Sequence, residues 1–132
     1  MTKVLNITTR SRVEFIDVTD RIEQVVKEAK VKTGVCWIFA PHTTAAVAIN
    51  EGADPSVRRD IINWLEEAIP RTGNYQHLEG NSPAHIKASL LGSSRAVIIE
   101  NGDLHLGTWQ SIYFCEFDGP RRRKLIVKIL EG

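Results

Sequence analysis

The segment GVCWIFAPHTTAAVAIN, residues 34–50, holds two apolar runs separated by Pro41-His42-Thr43-Thr44. The first, GVCWIFA at 34–40, is apolar throughout. That is the pattern of an interior strand covered on both faces, not of a strand with one wet face. The second, AAVAIN at 45–50, reads as a short strand of small residues. Two strands this close, with a polar break between them, set the frame for the rest of the chain.

Upstream, residues 3–9 and 12–18 carry Val, Ile or Phe at alternating positions around Arg10-Ser11, so they read as two strands. Asp20, with Glu23 three residues on, forms a capping-box pattern. RIEQVVKEAK then places Ile22, Val25, Val26 and Ala29 on one helical face, with Gly34 as the expected breaker. Downstream, Asp54-Pro55 is a cap followed by a first-turn proline, and Val57, Ile61, Leu65 and Ala68 form an apolar stripe. Residues 70–82 are punctuated as loop by Gly73, Asn74, Gly80 and Asn81. Ser82-Pro83 opens a third helix, AHIKASLL, closed by Gly92. From Arg95 the pattern is strand: RAVIIEN, a turn at Asn101-Gly102-Asp103, GTWQSIYFCEF, a turn at Asp118-Gly119-Pro120, and RKLIVKILE.

The expected order is ββαββααβββ. Grouped strands interrupted by helices indicate a single α+β domain over residues 1–132, with a mixed or antiparallel sheet and about three helices. Three modest helices cover one face of a sheet, whereas 35–39 and 109–117 are apolar on both. The uncovered face is therefore expected to meet another subunit of a homo-oligomer.

Composition bounds the function classes. The chain has 132 residues, 17 Lys+Arg against 16 Asp+Glu, 42% hydrophobic and 25% charged residues. This near-neutral balance gives no basis for a nucleic-acid or membrane partner. The N-terminus has no apolar leader, and no run approaches the ~20 apolar residues of a membrane span, so a cytoplasmic location is expected. Cys36 and Cys115 lie in apolar runs and read as buried free thiols. The basic cluster Arg121–Lys124 reads as a solvated strand start or an inter-subunit ion-pair site.

Four histidines carry the candidate chemistry: His42, His77, His85 and His105. None of their spacings is a metal motif by itself. His42 is followed by Thr43, Thr44, Asn50, Glu51 and Asp54. His85 sits in the first turn of the third helix, where the positive helix end favours neutral imidazole, and is followed by Lys87 and Ser89. That helix start at Ser82, together with Lys87, is a ready seat for a phosphate. Arg58, in the first turn of the second helix, works against the helix dipole. It is either paired with Glu51 or Asp54 or held there to clamp an anion.

The blocks PHTTAAVAINEGADPSVRRD (41–60), GNYQHLEGNSPAHIKASLLGSS (73–94) and GTWQSIYFCEFDGPRRR (107–123) closely resemble the YjbQ family, often labelled secondary thiamine-phosphate synthase. The resemblance implies a compact α+β fold, a homotrimer, and sites near subunit interfaces. It marks His42, Thr43, Asn50, Glu51, Asp54, Pro55, Arg58, Asp60, Tyr75, His77, His85, Ile86, Lys87 and Gly107–Gln110, and leaves His105 outside the pattern. It further implies joining of hydroxymethylpyrimidine diphosphate to thiazole phosphate with release of pyrophosphate. In that setting His42, His77 and His85 would bind a divalent metal, Zn or Mg. Glu51 or Asp54 would orient or act as base, and Thr43, Asn50, Arg58, Lys87, Ser89 and Gln110 would contact a small phosphorylated substrate. A hydrolase or another transferase on the same histidines, and a non-enzymatic trimer binding a small anion, stand as alternatives.

Overall fold

Period-two burial along the strands sorts them into two antiparallel sheets. The computed structural model describes all 132 residues. In chain order the elements are β1 (Thr2–Thr8), β2 (Glu14–Asp17), α1 (Thr19–Ala29), β3 (Gly34–Phe39), β4 (Ala45–Glu51), α2 (Pro55–Ala68), α3 (Ser82–Leu91), β5 (Ser94–Glu100), β6 (Asp103–Leu104), β7 (Gln110–Glu116) and β8 (Arg122–Glu131). One sheet has the order β1-β8-β3-β5-β6 and the other β2-β7-β4. The expected α+β class and element order hold, with the two-residue β6 added. Asn101 and Gly102, both at positive φ, close the β5–β6 hairpin as the Asn-Gly signal requires.

The apolar faces explain the layers. Leu5, Ile7, Cys36, Ile38, Val97, Ile99, Leu125, Val127 and Ile129 of the larger sheet meet Ala45, Val47, Ile112 and Phe114 of the smaller one, with Ile22, Val25 and Val26 of α1 sealing the same core. The reverse face of β7 supplies Tyr113 and Cys115 to a second core, where Leu65 of α2 and Ala84 and Ala88 of α3 cover it. Both faces of β7 are thus satisfied within one chain. β3 differs: its inner residues Cys36 and Ile38 are fully buried, while Trp37 and Phe39 on the outer face stay exposed. Val35 lies between Ile98 and Leu130 there, and Phe39 beside Ile126, so the open face is apolar across three strands.

Several local expectations are corrected. Asp20 is not the cap of α1. The Asp17 carboxylate accepts from the Thr19 amide at 3.0 Å and from its hydroxyl at 2.6 Å, and Thr19 Oγ1 in turn accepts the Ile112 amide. The helix ends at Lys30 in the left-handed region, four residues before Gly34. Gly34 instead lies in β3, where a Cβ would fall 2.0 Å from the Leu130 carbonyl oxygen. Asp118-Gly119-Pro120 joins β7 of one sheet to β8 of the other, so it is a crossover, not a hairpin turn. On α2 only Leu65 of the expected stripe is fully buried, and Ala68 is exposed. No helix is long and apolar enough to cross a membrane.

Because the obstacle at Gly34 is main chain in a paired strand, Gly34→Ala is expected to destabilise the fold by about 1–3 kcal/mol. Chemical denaturation measures this, and a loss under about 0.5 kcal/mol would contradict the close approach.

Candidate functional site

Antiparallel pairing brings one set of strand ends together. Phe39 pairs with Ser94 and Ala45 with Glu116, so the ends of β3 and β7 meet the starts of β4, β5 and β8. The connections there, with the α2–α3 loop and the first turns of α3, enclose a cleft of about 800 Å³. His42, Thr43, His77, Glu79, Asn81, His85, Ser93, Asp118, Arg121 and Arg123 line it. His42, Thr43, His85 and Ser93 also line an adjoining groove of about 500 Å³ that reaches Ser89.

His77 and His85 form a perpendicular ring pair with centroids 5.4 Å apart. Two imidazoles on one tetrahedral ion, with Zn–N bonds of about 2.0–2.1 Å, have centroids about 5 Å apart, and an edge-to-face ring contact without a metal has the same spacing. His42 stands on the same cleft, but no three His, Cys, Asp or Glu side chains converge into a metal cluster. The His42 Nε2 lies 2.9 Å from the Lys124 amide nitrogen and 3.1 Å from its carbonyl oxygen. Accepting from the amide leaves the proton on Nδ1. Because the amide can only donate, Nε2 is the acceptor in this contact and the Nδ1 lone pair is not free. Burial, and next the Arg123 charge, hold the His42 pKa below that of a free imidazole.

Beside His42 the cleft carries a polar network that sequence reasoning missed. Glu116 is fully buried and Arg123 nearly so; Arg123 grips the carboxylate through Nε at 2.8 Å and through Nη2. Thr9 Oγ1 donates to Glu116 and Thr44 Oγ1 accepts from Arg123, each at 2.8 Å. Burial raises the Glu116 pKa, yet the Arg123 and neighbouring hydrogen bonds outweigh it and the net shift is downward. Asp118 takes Arg121 Nη2 and Asn81 Nδ2, both at 2.9 Å. Asn81, which lines the cleft, keeps its Oδ1 buried without a hydrogen-bond partner. Arg123 is therefore not the solvated strand start expected from the basic cluster. Counting back by twos from buried Ile129, Val127 and Leu125 puts it on the inner face, and that signal was available in the sequence.

The other expected site residues lie elsewhere. Lys87 is corrected most sharply: it is 1% exposed and its ammonium is bound to Glu66, which also takes Arg12 at 2.6 Å. It has no surface to offer a phosphate. Asp54 caps α2, accepting from the Ser56 amide at 2.9 Å, and these Ser56 hydrogen bonds depress its pKa. The cap expected at Ser82 falls on Asn81, which makes no side-chain cap bond. Arg58 pairs with neither Glu51 nor Asp54; it donates to the Phe15 carbonyl at 3.0 Å and packs over the Tyr113 ring. Asn50, Glu51 and Arg58 line a separate cavity. Gln110 accepts the Gly107 amide at 2.8 Å, and Ser89 donates to the His85 carbonyl. Both cysteines are buried free thiols, with Cys36 pushed up to about 12 by burial.

Fold and site together define an antiparallel α+β protein with a polar, histidine-lined cleft at one end of its sheets. The family model described as UPF0047 protein YjbQ-like matches residues 3–132, and the chain belongs to this family. It is 56% identical to a UPF0047 protein of Methanocaldococcus jannaschii, over 94% of this chain and 90% of that one. It is 47% identical to the UPF0047 protein YugU of Bacillus subtilis, over 98% and 99%. A crystal structure of an uncharacterised conserved protein of the same family from Clostridium acetobutylicum superposes with a TM-score of 0.96 at 54% identity, covering 97% of this chain and 99% of that one. A protein of unknown function from Sulfolobus solfataricus gives 0.96 at 34% identity, covering 100% and 97%.

Two outcomes follow from these contacts. Glu66→Ala leaves the Lys87 ammonium buried and unpaired and is expected to cost about 3–5 kcal/mol, while adding Lys87→Met recovers more than half. Equal loss in the single and double variants would refute the pairing. For His42, a depressed folded pKa means its contribution to stability is complete above the unfolded value of about 6.5 and fades as pH falls through the folded one. NMR titration of the His42 ring reads this directly; a midpoint above the free value would contradict it.

Proposed function

We propose that the cleft holds a small phosphorylated substrate beside a divalent metal, Zn or Mg, and that the protein is a metal-dependent enzyme on such substrates. The candidate reaction is the thiamine-phosphate coupling implied by its family resemblance. The supporting observation is that His42, His77 and His85, from three separate segments, line one cleft together with Arg121 and Asn81.

His77 and His85 would hold the ion; His42, whose Nε2 is bound to the Lys124 main chain, does not converge with them as it stands and would join as third imidazole by a change of rotamer. The bound ion would supply positive charge to neutralise a departing diphosphate. Thr43 and Ser93, exposed on the cleft, offer hydroxyls to phosphate oxygens, and Arg121, paired with Asp118, lines the same cleft. Arg123, already neutralised by Glu116, serves to fix that part of the cleft. The open apolar face around Trp37 and Phe39 supports assembly as a homotrimer, the state the resemblance implies.

Untagged protein dialysed against zinc is expected to retain about one ion per chain, and the His77→Ala/His85→Ala variant less than about a tenth of that. Pyrophosphate release from the two coupling substrates should fall with it, and sedimentation should give a mass of three chains. Zinc retained by the variant would remove the metal site. No pyrophosphate above that of the variant would remove the coupling reaction, and a monomer mass would remove the trimer.

A further inference from the structure

A second enclosure of about 180 Å³ lies between α2 and the reverse face of the smaller sheet, and it shares no lining residue with the histidine cleft. Six of its ten lining residues are hydrophobic. Phe15 and Tyr113, nearly buried and 6.2 Å apart at their ring centroids, form its floor. Half-buried Arg58, Arg95 and Glu51 stand nearer solvent.

The two arginines set this cavity apart. Arg58 donates to the Phe15 carbonyl, and Arg95 to the Leu91 and Ser94 carbonyls. Neither is in an ion pair with any carboxylate of the chain. A guanidinium keeps its charge at every working pH, and one held half-buried on neutral acceptors lacks the counter-ion that makes such burial favourable. Arg58 is compensated in part by the Tyr113 ring 5.1 Å from its Cζ and Arg95 by carbonyls alone, so both guanidiniums line one apolar enclosure with no anion paired to them.

Size and charge narrow the anion this enclosure would take. A dry cavity of about 150 Å³ takes benzene, so this one accommodates a single six-membered ring or a branched chain of similar bulk with a small head group. Glu51 contributes a carboxylate to the same lining. Its Oε2 is occupied by the Ala53 amide at 2.7 Å and the Asp54 amide at 3.3 Å. A dianionic phosphate would be repelled there, whereas one carboxylate is matched by the forked guanidinium.

We propose that this cavity is a binding site for a small monocarboxylate with an apolar body of about one ring, its carboxylate on Arg58 and Arg95 and its body against Phe15, Tyr113 and Ile61. The site is independent of the histidine cleft.

The probe is benzoate, titrated into labelled protein and followed by amide correlation spectra, with benzyl alcohol as the neutral counterpart. Saturable shifts centred on Ala48, Ile49, Ile61 and Leu91 are expected, with benzyl alcohol at least about tenfold weaker. Ala48→Leu, which fills the cavity, and Arg95→Met should each weaken benzoate by about tenfold or more. Three outcomes would overturn the proposal: no saturable shift, shifts centred on His42 and His85, or equal affinity for the alcohol. Should the variants not fold, the comparison of benzoate with benzyl alcohol on the unaltered chain decides alone.

Discussion

The buried ion pair between Glu116 and Arg123 joins the two sheets at the end where the cleft opens. Glu116 ends β7 in one sheet and Arg123 begins β8 in the other. Their contact is completed by Thr9 after β1 and Thr44 before β4, so four strands and three connections converge on two charges. Removing either partner would strand a charge in a site with almost no solvent, which costs far more than the pair contributes over an apolar replacement. What the pair provides is therefore mainly position. It fixes where the β7–β8 crossover leaves the sheets, and with it Asp118 and Arg121 on the cleft that His77 and His85 also line.

Much of the fold was legible because binary pattern dominates it. The continuous apolar run of β3, the alternation of β8 and the Pro-initiated helices all point to the elements observed. What pattern could not show was that the strands divide between two sheets. β7 is apolar on both faces for an internal reason, since one face meets the larger sheet and the other lies under α2 and α3. β3, with the same signature, keeps one face open. A run of hydrophobic residues records that a face is dry, not which neighbour dries it.

The site divides the same way. His42 and His85 were singled out by residue type and company, Thr43 and His77 were added by the family resemblance, and the fold brings all four to one cleft. Lys87 was misplaced because a lysine two residues past His85 reads as a free cation on a helix start. The helical period instead carries it to the inner side, with Ala84, Ala88 and Leu91, while His85 and Ser89 keep the outer one. Asn50, Glu51 and Arg58 were grouped with the histidines by closeness in sequence. β4 runs from the cleft to the far end of the sheet, and its seven residues carry Asn50 and Glu51 away from His42.

α3 is consequently a partition. Its His85 side belongs to the polar cleft, and Leu91 belongs to the small apolar cavity with its two unpaired arginines. Between them Lys87 points into protein and finds Glu66 of α2, which also holds Arg12. An apolar side chain at that position would tolerate several rotations of the helix, because dispersion contacts have no direction. An ammonium with one buried acceptor tolerates few, since turning it away leaves both charges unmatched. The same ion pair that disqualifies Lys87 as a ligand of phosphate thus sets the rotation of α3, and that rotation places the His85 ring beside His77.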